Sequence, residues 1–397
     1  MSFEIQIITD LAILLVVGSA IGLVFYKLKQ PLIIGYLIAG IIIGPYSPPF
    51  SLVTNLEFVN VFAEIGLILL LFIIGFEFPI RRLRSIGRVV IGVSAIEITL
   101  MLIVSWAVGT FLQWGFYDTL FLGAALASSS TTIIAKVLTD IKKIREMSAT
   151  IMLGILVVED IVVVIILAVL QNAAISNTIS IVDSGWLIIK LVIFIGGTLG
   201  IGGFFLPKVI DKVACTESKE LLYVALLGIC FMFAILSSLI GFSAAIGAFL
   251  IGVVVARARC REEINRQIEP FQLVFGAIFF VSMGALMDIT QIANYWLPAL
   301  IVTAVVFGTK LLSCGVGTRF FGYDNTTSMR VGLGMAQIGE FAFIVVKAGQ
   351  DLGVLSDFLL PIIGVATIIT AFVTPYLIKF SFRTHESKNE TQYITHA

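Results

Sequence analysis

Residues 151–170 read IMLGILVVEDIVVVIILAVL, an apolar run that is interrupted by two adjacent acids, Glu159 and Asp160. A helix of about 20 apolar residues is long enough to cross the hydrocarbon core of a bilayer. A charged side chain at the centre of such a helix costs about 2.5–3.5 kcal/mol on insertion scales, and such residues mark ion or proton pathways. The stretch therefore predicts a membrane-spanning helix with a functional acidic pair.

The whole chain has the composition of a membrane protein. Of its 397 residues, 59% are hydrophobic and 13% are charged, against about 25% charged residues in soluble domains. So much apolar surface cannot be hidden inside a soluble globule. We therefore expect an all-α polytopic membrane protein and exclude a soluble enzyme, a disordered protein and, because the net charge is zero, a nucleic-acid binder. Two histidines, His385 and His396, make no metal site, and we expect no enzyme activity and no cofactor.

Apolar runs and basic residues together predict the topology. Basic residues collect on the cytoplasmic side of membrane proteins. With the N-terminus outside and the C-terminus in the cytoplasm, all basic residues fall in cytoplasmic segments except Lys190, Lys310 and Lys347. This pattern predicts thirteen spans in the cell membrane, near residues 8–26, 31–48, 58–79, 89–112, 117–138, 148–170, 186–206, 221–239, 242–256, 269–287, 297–318, 331–349 and 358–378.

Thirteen spans divide as six, one and six, which is the plan of an inverted repeat. We expect a first repeat over 1–184, a linker helix and cytoplasmic loop over 185–217, a second repeat over 218–379 and a tail over 380–397. The fifth span of each half contains a polar break, ASSSTTIIA at 127–135 and GMAQIGEFAF at 334–343. Breaks at matching positions point to a midplane binding site, although hydroxyl side chains in membrane helices also bond back to the preceding turn.

Charged residues inside the spans indicate what the site does. Adjacent helical residues point about 100° apart, so we expect one of Glu159 and Asp160 to meet Lys310 and the other to face water. Glu340 lies in the second break, whereas Glu97 fits either a structural or a functional role. A carboxylate in an apolar environment can hold a proton or bind a cation, but not both, and this competition suffices for exchange of one ion for another.

Eight segments together resemble the second monovalent cation:proton antiporter family, which includes sodium/proton antiporters and the membrane domain of potassium-efflux antiporters. They are GYLIAGIIIGP at 35–45, LLLFIIGFEFPIRRLRSIGR at 69–88, ASSSTTIIA at 127–135, LVVEDIVVV at 156–164, GFSAAIGAFLIG at 241–252, FVSMGALMD at 280–288, GTKLL at 308–312 and QIGEFAF at 337–343.

The resemblance implies an architecture and a set of site residues. It implies a homodimer with dimerisation spans within 8–79 and 221–287, and a mobile core within 89–170 and 297–378 where the two interrupted helices cross. Asp160 would carry the Na⁺ or the proton, and Glu159 would pair with Lys310 where charge-moving members usually have Asp. The ion- and proton-binding set would be Asp160, Glu159, Ser130, Thr131 and Thr132, and Glu340 would match the acid of the second interrupted helix.

These features favour an electrogenic Na⁺/H⁺ antiporter with lipid and monovalent cations as its partners. A K⁺/H⁺ antiporter is the main alternative, since potassium-efflux members usually carry a cytoplasmic nucleotide-binding domain that the short tail after Phe380 cannot contain; a separate cytoplasmic subunit could supply that regulation. A sodium-coupled solute symporter and a channel or receptor are further alternatives.

Overall fold

The computed structural model describes residues 3–47, 51–53, 55–77, 83–176, 190, 193–214, 216, 218–240, 244–288, 290 and 292–394. Within these ranges the chain is helical and contains no strand. The helices are α1 Phe3–Lys27, α2 Leu32–Ile43, α3 Leu56–Glu77, α4 Leu83–Phe111, α5 Phe116–Leu126, α6 Thr131–Asp140, α7 Met147–Ser176, α8 Gly203–Ala214, α9 Lys219–Ile240, α10 Ala244–Val255, α11 Arg261–Ala285, α12 Ile292–Phe320, α13 Asn325–Met335, α14 Phe341–Asp351 and α15 Leu359–Ile394. A π-helical turn, Thr198–Gly202, precedes α8.

The protein is a multi-pass membrane protein. In the described part of the chain, 9 helices are long and apolar enough to cross a bilayer, and α2, α5 and α10 are shorter apolar helices. The predicted spans 31–48 and 242–256 correspond to the short helices α2 and α10, and Gly44 and Pro45 follow the end of α2. The predicted span 186–206 lies partly outside the described residues. The total of thirteen spans stays a prediction.

Two predicted spans are each built from a pair of short helices. The span 117–138 is divided between α5 and α6, and the span 331–349 is divided between α13 and α14. Polar breaks are therefore present at both positions that the sequence indicated. They place non-helical backbone inside otherwise apolar stretches.

The chain divides into two compact units. Unit 1 comprises Met1–Leu28, Gly35–Phe78 and Ile166–Ile289, and unit 2 comprises Lys29–Ile34, Pro79–Ile165 and Thr290–Ala397. The dimerisation and core roles that the resemblance implies for particular spans stay predictions.

Unit 1 is held together by close approach of α3 to α10. A Cβ atom on Gly252 would lie 2.0 Å from the carbonyl oxygen of Phe72, and one on Gly75 would lie 2.1 Å from the carbonyl oxygen of Phe249. Small residues allow the backbones of membrane helices to touch in this way, which replaces the hydrophobic driving force that lipid removes. These two glycines are therefore packing residues.

Within unit 2, the neighbouring helices α4 and α13 fix the position of α12. Gly317 of α12 lies against Val93 of α4. On another face, a Cβ atom on Gly332 of α13 would meet the carbonyl oxygen of Leu311 at 2.7 Å. Because Leu311 follows Lys310 directly, these contacts also determine where the Lys310 side chain begins.

Asp324 starts the helix that leads into the second break. Its carboxylate accepts hydrogen bonds from the backbone N–H groups of Thr326 at 3.0 Å and Thr327 at 3.1 Å. Hydrogen bonds from the side chain and backbone of Thr327 and from the backbone of Thr326 hold the pKa of this exposed carboxyl below its usual value. Asp324 is thus the N-cap of α13.

Replacing this cap should weaken α13. Asp324→Ala removes both acceptors and should cost about 0.5–2 kcal/mol, whereas Asp324→Asn keeps a capping oxygen and should cost little. Melting temperatures of the purified protein in detergent measure the difference. Equal melting temperatures for the two variants would contradict the capping role.

Candidate functional site

The two broken helices of unit 2 meet at their breaks. The backbone N–H of Gly339 donates a hydrogen bond to the carbonyl oxygen of Ser128 at 3.0 Å. The side-chain amide of Gln337 donates to the carbonyl oxygen of Ser130, also at 3.0 Å. Each break therefore supplies hydrogen-bond partners to the other, as buried backbone in a membrane protein requires.

Hydroxyl side chains complete the hydrogen bonding of both breaks. Ser128 donates back to the carbonyl oxygen of Ala125 at 3.1 Å, and Ser130 caps α6 by accepting from the N–H of Ile133 at 3.4 Å. In the second break, Thr370 of α15 accepts from the N–H of Ile338 at 3.3 Å, and Thr374 donates to the carbonyl oxygen of Ala336 at 3.1 Å. Local bonding thus accounts for Ser128 and Ser130, but not for Ser129.

The contact between the breaks leaves no room for a side chain at Gly339. A Cβ atom there would lie 2.5 Å from both the carbonyl carbon and the carbonyl oxygen of Ser129. Any larger residue must push the two breaks apart. Gly339 therefore sets the separation between the two chain interruptions.

Ser129 connects the first break to the buried ammonium group of Lys310. Lys310 is 0% exposed, and its ammonium group donates a hydrogen bond to the Ser129 hydroxyl at 2.6 Å. The nearest carboxylate oxygen in ion-pair range is Oε1 of Glu97, 3.6 Å from the Lys310 nitrogen. That distance makes the contact an ion pair rather than a hydrogen bond.

The acidic pair of α7 faces two different sets of neighbours. Both side chains are buried, Glu159 at 0% and Asp160 at 7% exposure. Lys310 attracts both acids, but Glu159 lies beside Ser129, whereas Asp160 is also repelled by Glu340. The divergence of neighbouring helical residues explains this arrangement.

The remaining predicted site residues lie at the ends of the short helices. Thr131, the first residue of α6, and Glu340, the residue before α14, are both half-buried. The side chain of Thr132 lies outside the described part of the structure. Ion binding by Asp160, Glu159, Ser130, Thr131 and Thr132 stays a prediction.

The pairing of Lys310 differs from the one that the family resemblance implied. The resemblance paired Lys310 with Glu159, but the carboxylate at ion-pair distance is that of Glu97 on α4. The physical reason is that α12 packs on α4 through Gly317 and Val93, which brings Glu97 to the Lys310 side chain. The available sequence signal for Glu97 was its position inside the apolar span 89–112.

Comparison with known proteins identifies the family. A family model described as sodium/hydrogen exchanger, transmembrane, matches residues 11–383. The chain belongs to this family of transmembrane proteins. The antiporter resemblance of the eight sequence segments is thereby confirmed.

Individual relatives agree with this assignment. The chain is 30% identical over 380 residues to the Na⁺/H⁺-K⁺ antiporter GerN of Bacillus cereus, covering 96% of this chain and 97% of GerN. It is 28% identical over 386 residues to K⁺ efflux antiporter 4 of Arabidopsis thaliana, covering 96% of this chain but 64% of that relative. The solved structure of the sodium proton antiporter MjNhaP1 from Methanocaldococcus jannaschii has the same fold, with a TM-score of 0.71 at 19% identity over 96% of this chain and 98% of MjNhaP1.

Adding one methyl group at Gly339 should disturb the site. Gly339→Ala forces a shift of the backbone at Ser129, and overpacking of this kind costs about 1–3 kcal/mol. Gly228→Ala on α9 is the matched control, because a Cβ atom there meets nothing within 4 Å. Melting temperature and ion transport in proteoliposomes should both fall for Gly339→Ala and not for the control; an unaffected Gly339→Ala variant would show that the breaks do not need their close contact.

Proposed function

We propose that the protein is a secondary antiporter of the cell membrane that exchanges Na⁺ for protons by alternating access. One observation carries the proposal: Glu97, Glu159, Asp160 and Lys310 are all buried in unit 2, next to two helix breaks that contact each other. Buried ionisable residues in membrane segments are expensive and mark ion or proton pathways. The family and the names of the relatives support the same reading.

Asp160 is the proposed carrier of the transported ion. An ionised carboxylate in an apolar environment must be neutralised, and either a proton or a cation can do this. Oxygen atoms suit alkali cations, so Ser130, Thr131, Thr132 and the carbonyl groups of the first break would complete the Na⁺ site with Asp160. Because one carboxylate serves both ions, binding of Na⁺ expels the proton and binding of a proton expels Na⁺.

Exchange follows when this site opens to one compartment at a time. A neutralised carboxylate costs less to move through a low-dielectric environment than an ionised one, so the site changes sides when loaded. We propose that Glu159 contributes a second acidic group and makes the cycle electrogenic. Glu340, next to Asp160, adds a further acid that affects its affinity for protons and cations.

The finer architecture belongs to the same proposal. It comprises thirteen spans with the N-terminus outside and the C-terminus in the cytoplasm, two inverted six-helix repeats and a linker helix. A homodimer would form through the spans within 8–79 and 221–287, and the spans within 89–170 and 297–378 would form the moving core. Alternating access by movement of one bundle against another fits such repeats.

K⁺/H⁺ exchange is the second candidate. GerN is named a Na⁺/H⁺-K⁺ antiporter and the Arabidopsis relative is named a K⁺ efflux antiporter. Glu159 also stands where charge-moving sodium exporters usually have Asp, and its longer side chain changes the size of the site. In this case a separate cytoplasmic subunit would supply regulation.

Removing the carrier charge tests the function. In proteoliposomes with a pH-sensitive dye, addition of Na⁺ should dissipate an imposed pH gradient, with smaller responses to K⁺ and Li⁺. Asp160→Asn should reduce every response to that of empty liposomes, since the amide cannot hold a proton. The control is Asp324→Asn, the same chemical change at the exposed N-cap of α13, and it should transport like the wild type.

Two results would contradict this function. Exchange by folded Asp160→Asn protein above the background of empty liposomes would remove Asp160 from the mechanism. Equal failure of the wild type with all cations would refute antiport itself. A larger response to K⁺ than to Na⁺ would favour the second candidate.

A further inference from the structure

Glu97 is a buried acid that the proposed ion site does not use. Its side chain is 0% exposed on α4, where neighbouring residues such as Val93, Ile98 and Met101 are buried and apolar. Lys310 and Cys314 of α12 and Glu159 of α7 act on it electrostatically. Among the described residues, its ion-pair partner is Lys310.

Lys310 cannot neutralise every acid that surrounds it. One ammonium group offsets one carboxylate, while Glu97, Glu159 and Asp160 are all buried. Lys310 is in ion-pair contact with Glu97. Both oxygens of Glu97, both oxygens of Glu159 and one oxygen of Asp160 accept no hydrogen bond of normal geometry within the described ranges. When all three acids are ionised, Lys310 therefore leaves two negative charges of this cluster without a matching positive charge.

Ser129 lies beside both Lys310 and Glu159. It accepts a hydrogen bond from Lys310, and it also lies beside Glu159. A long lysine side chain has several rotatable bonds, so loss of the charge at Glu97 would let the ammonium group move towards Glu159. The carboxylate at residue 97 thus determines which acid Lys310 neutralises.

We propose that Glu97 is the counter-ion of Lys310 and a positioning residue of the transport site, and that it leaves Glu159 free to exchange protons. This inference rests on the proposed antiport function. With Lys310 held by Glu97, both Glu159 and Asp160 load a proton when the cation leaves. Two protons then move against one cation, and each cycle transfers one net charge across the membrane.

Charge removal at Glu97 should change the coupling rather than abolish transport. In Glu97→Gln, Lys310 becomes the permanent counter-ion of Glu159, and Asp160 alone exchanges a proton for a cation. Exchange continues, but its dependence on membrane voltage is lost. Glu159→Gln should have the same phenotype, and Glu97→Asp, which keeps the negative charge, should retain voltage dependence.

The test is cation-driven proton movement in proteoliposomes whose membrane voltage is clamped with potassium and valinomycin. Wild type and Glu97→Asp should change their rates with the clamped voltage, while Glu97→Gln and Glu159→Gln should not. Two results would overturn the inference while leaving antiport intact. One is a Glu97→Gln variant that keeps the voltage dependence of the wild type, and the other is a wild type whose exchange does not depend on voltage. Absence of exchange by the wild type would instead refute the proposed function.

A stability measurement keeps the inference testable if Glu97→Gln is poorly folded. Glu97→Gln and Lys310→Gln should each lower the melting temperature, because each leaves the other charge buried without its partner. The melting temperature of the double variant should fall by less than the sum of the two single shifts, and the difference measures the coupling of the two residues. The corresponding cycle of Glu159→Gln with Lys310→Gln should show weaker coupling; stronger coupling there would make Glu159 the counter-ion and overturn the inference.

Discussion

The buried ammonium group of Lys310 in unit 2 lies among more carboxylates than it can neutralise. Lys310 is in ion-pair contact with Glu97 and in hydrogen-bond contact with Ser129, while Glu159 and Asp160 are buried nearby. An uncompensated charge in a membrane helix costs about 2.5–3.5 kcal/mol. In the proposed mechanism, this imbalance gives protons and cations their binding energy, because each of them removes that cost. The helix breaks, the close packing at Gly339 and the capping hydroxyls hold the charged groups in place.

The main features of the fold could be predicted from the sequence because lipid leaves backbone groups few alternatives. Long apolar runs must be helices, and the polar runs at 127–135 and 334–343 indicated where helices break. The lengths of α2, α10 and α11 could not be predicted in the same way. In α11, hydropathy predicts that the apolar part of the span begins near residue 269. The helix itself begins at Arg261, because the charged turns before the span are also good helix formers.

The sequence identified three buried charged residues of the candidate site but not how they pair, and their role in ion binding stays a prediction. Glu159, Asp160 and Lys310 were identifiable because charges within apolar runs are exceptional, and the divergence of Glu159 from Asp160 follows from helix geometry. The partner of Lys310 depends on which helices pack together, and Gly317 against Val93 is a contact that hydropathy and spacing do not encode. The family resemblance implied Glu159 as the partner of Lys310, because in the family the paired acid lies on the same helix as the residue that matches Asp160. In the sequence, Ser129 is one of five adjacent hydroxyl residues and nothing sets it apart. The structure distinguishes it by its contact with Lys310.

The most direct measurement of the central claim is the number of protons that the purified protein releases when Na⁺ binds. Titration calorimetry at one pH, in buffers with different heats of ionisation, gives this number. If a carboxylate holds either a proton or Na⁺, binding releases protons and the apparent Na⁺ affinity weakens as the pH falls. Na⁺ binding without proton release, at an affinity that does not change across the neutral pH range, would contradict the account.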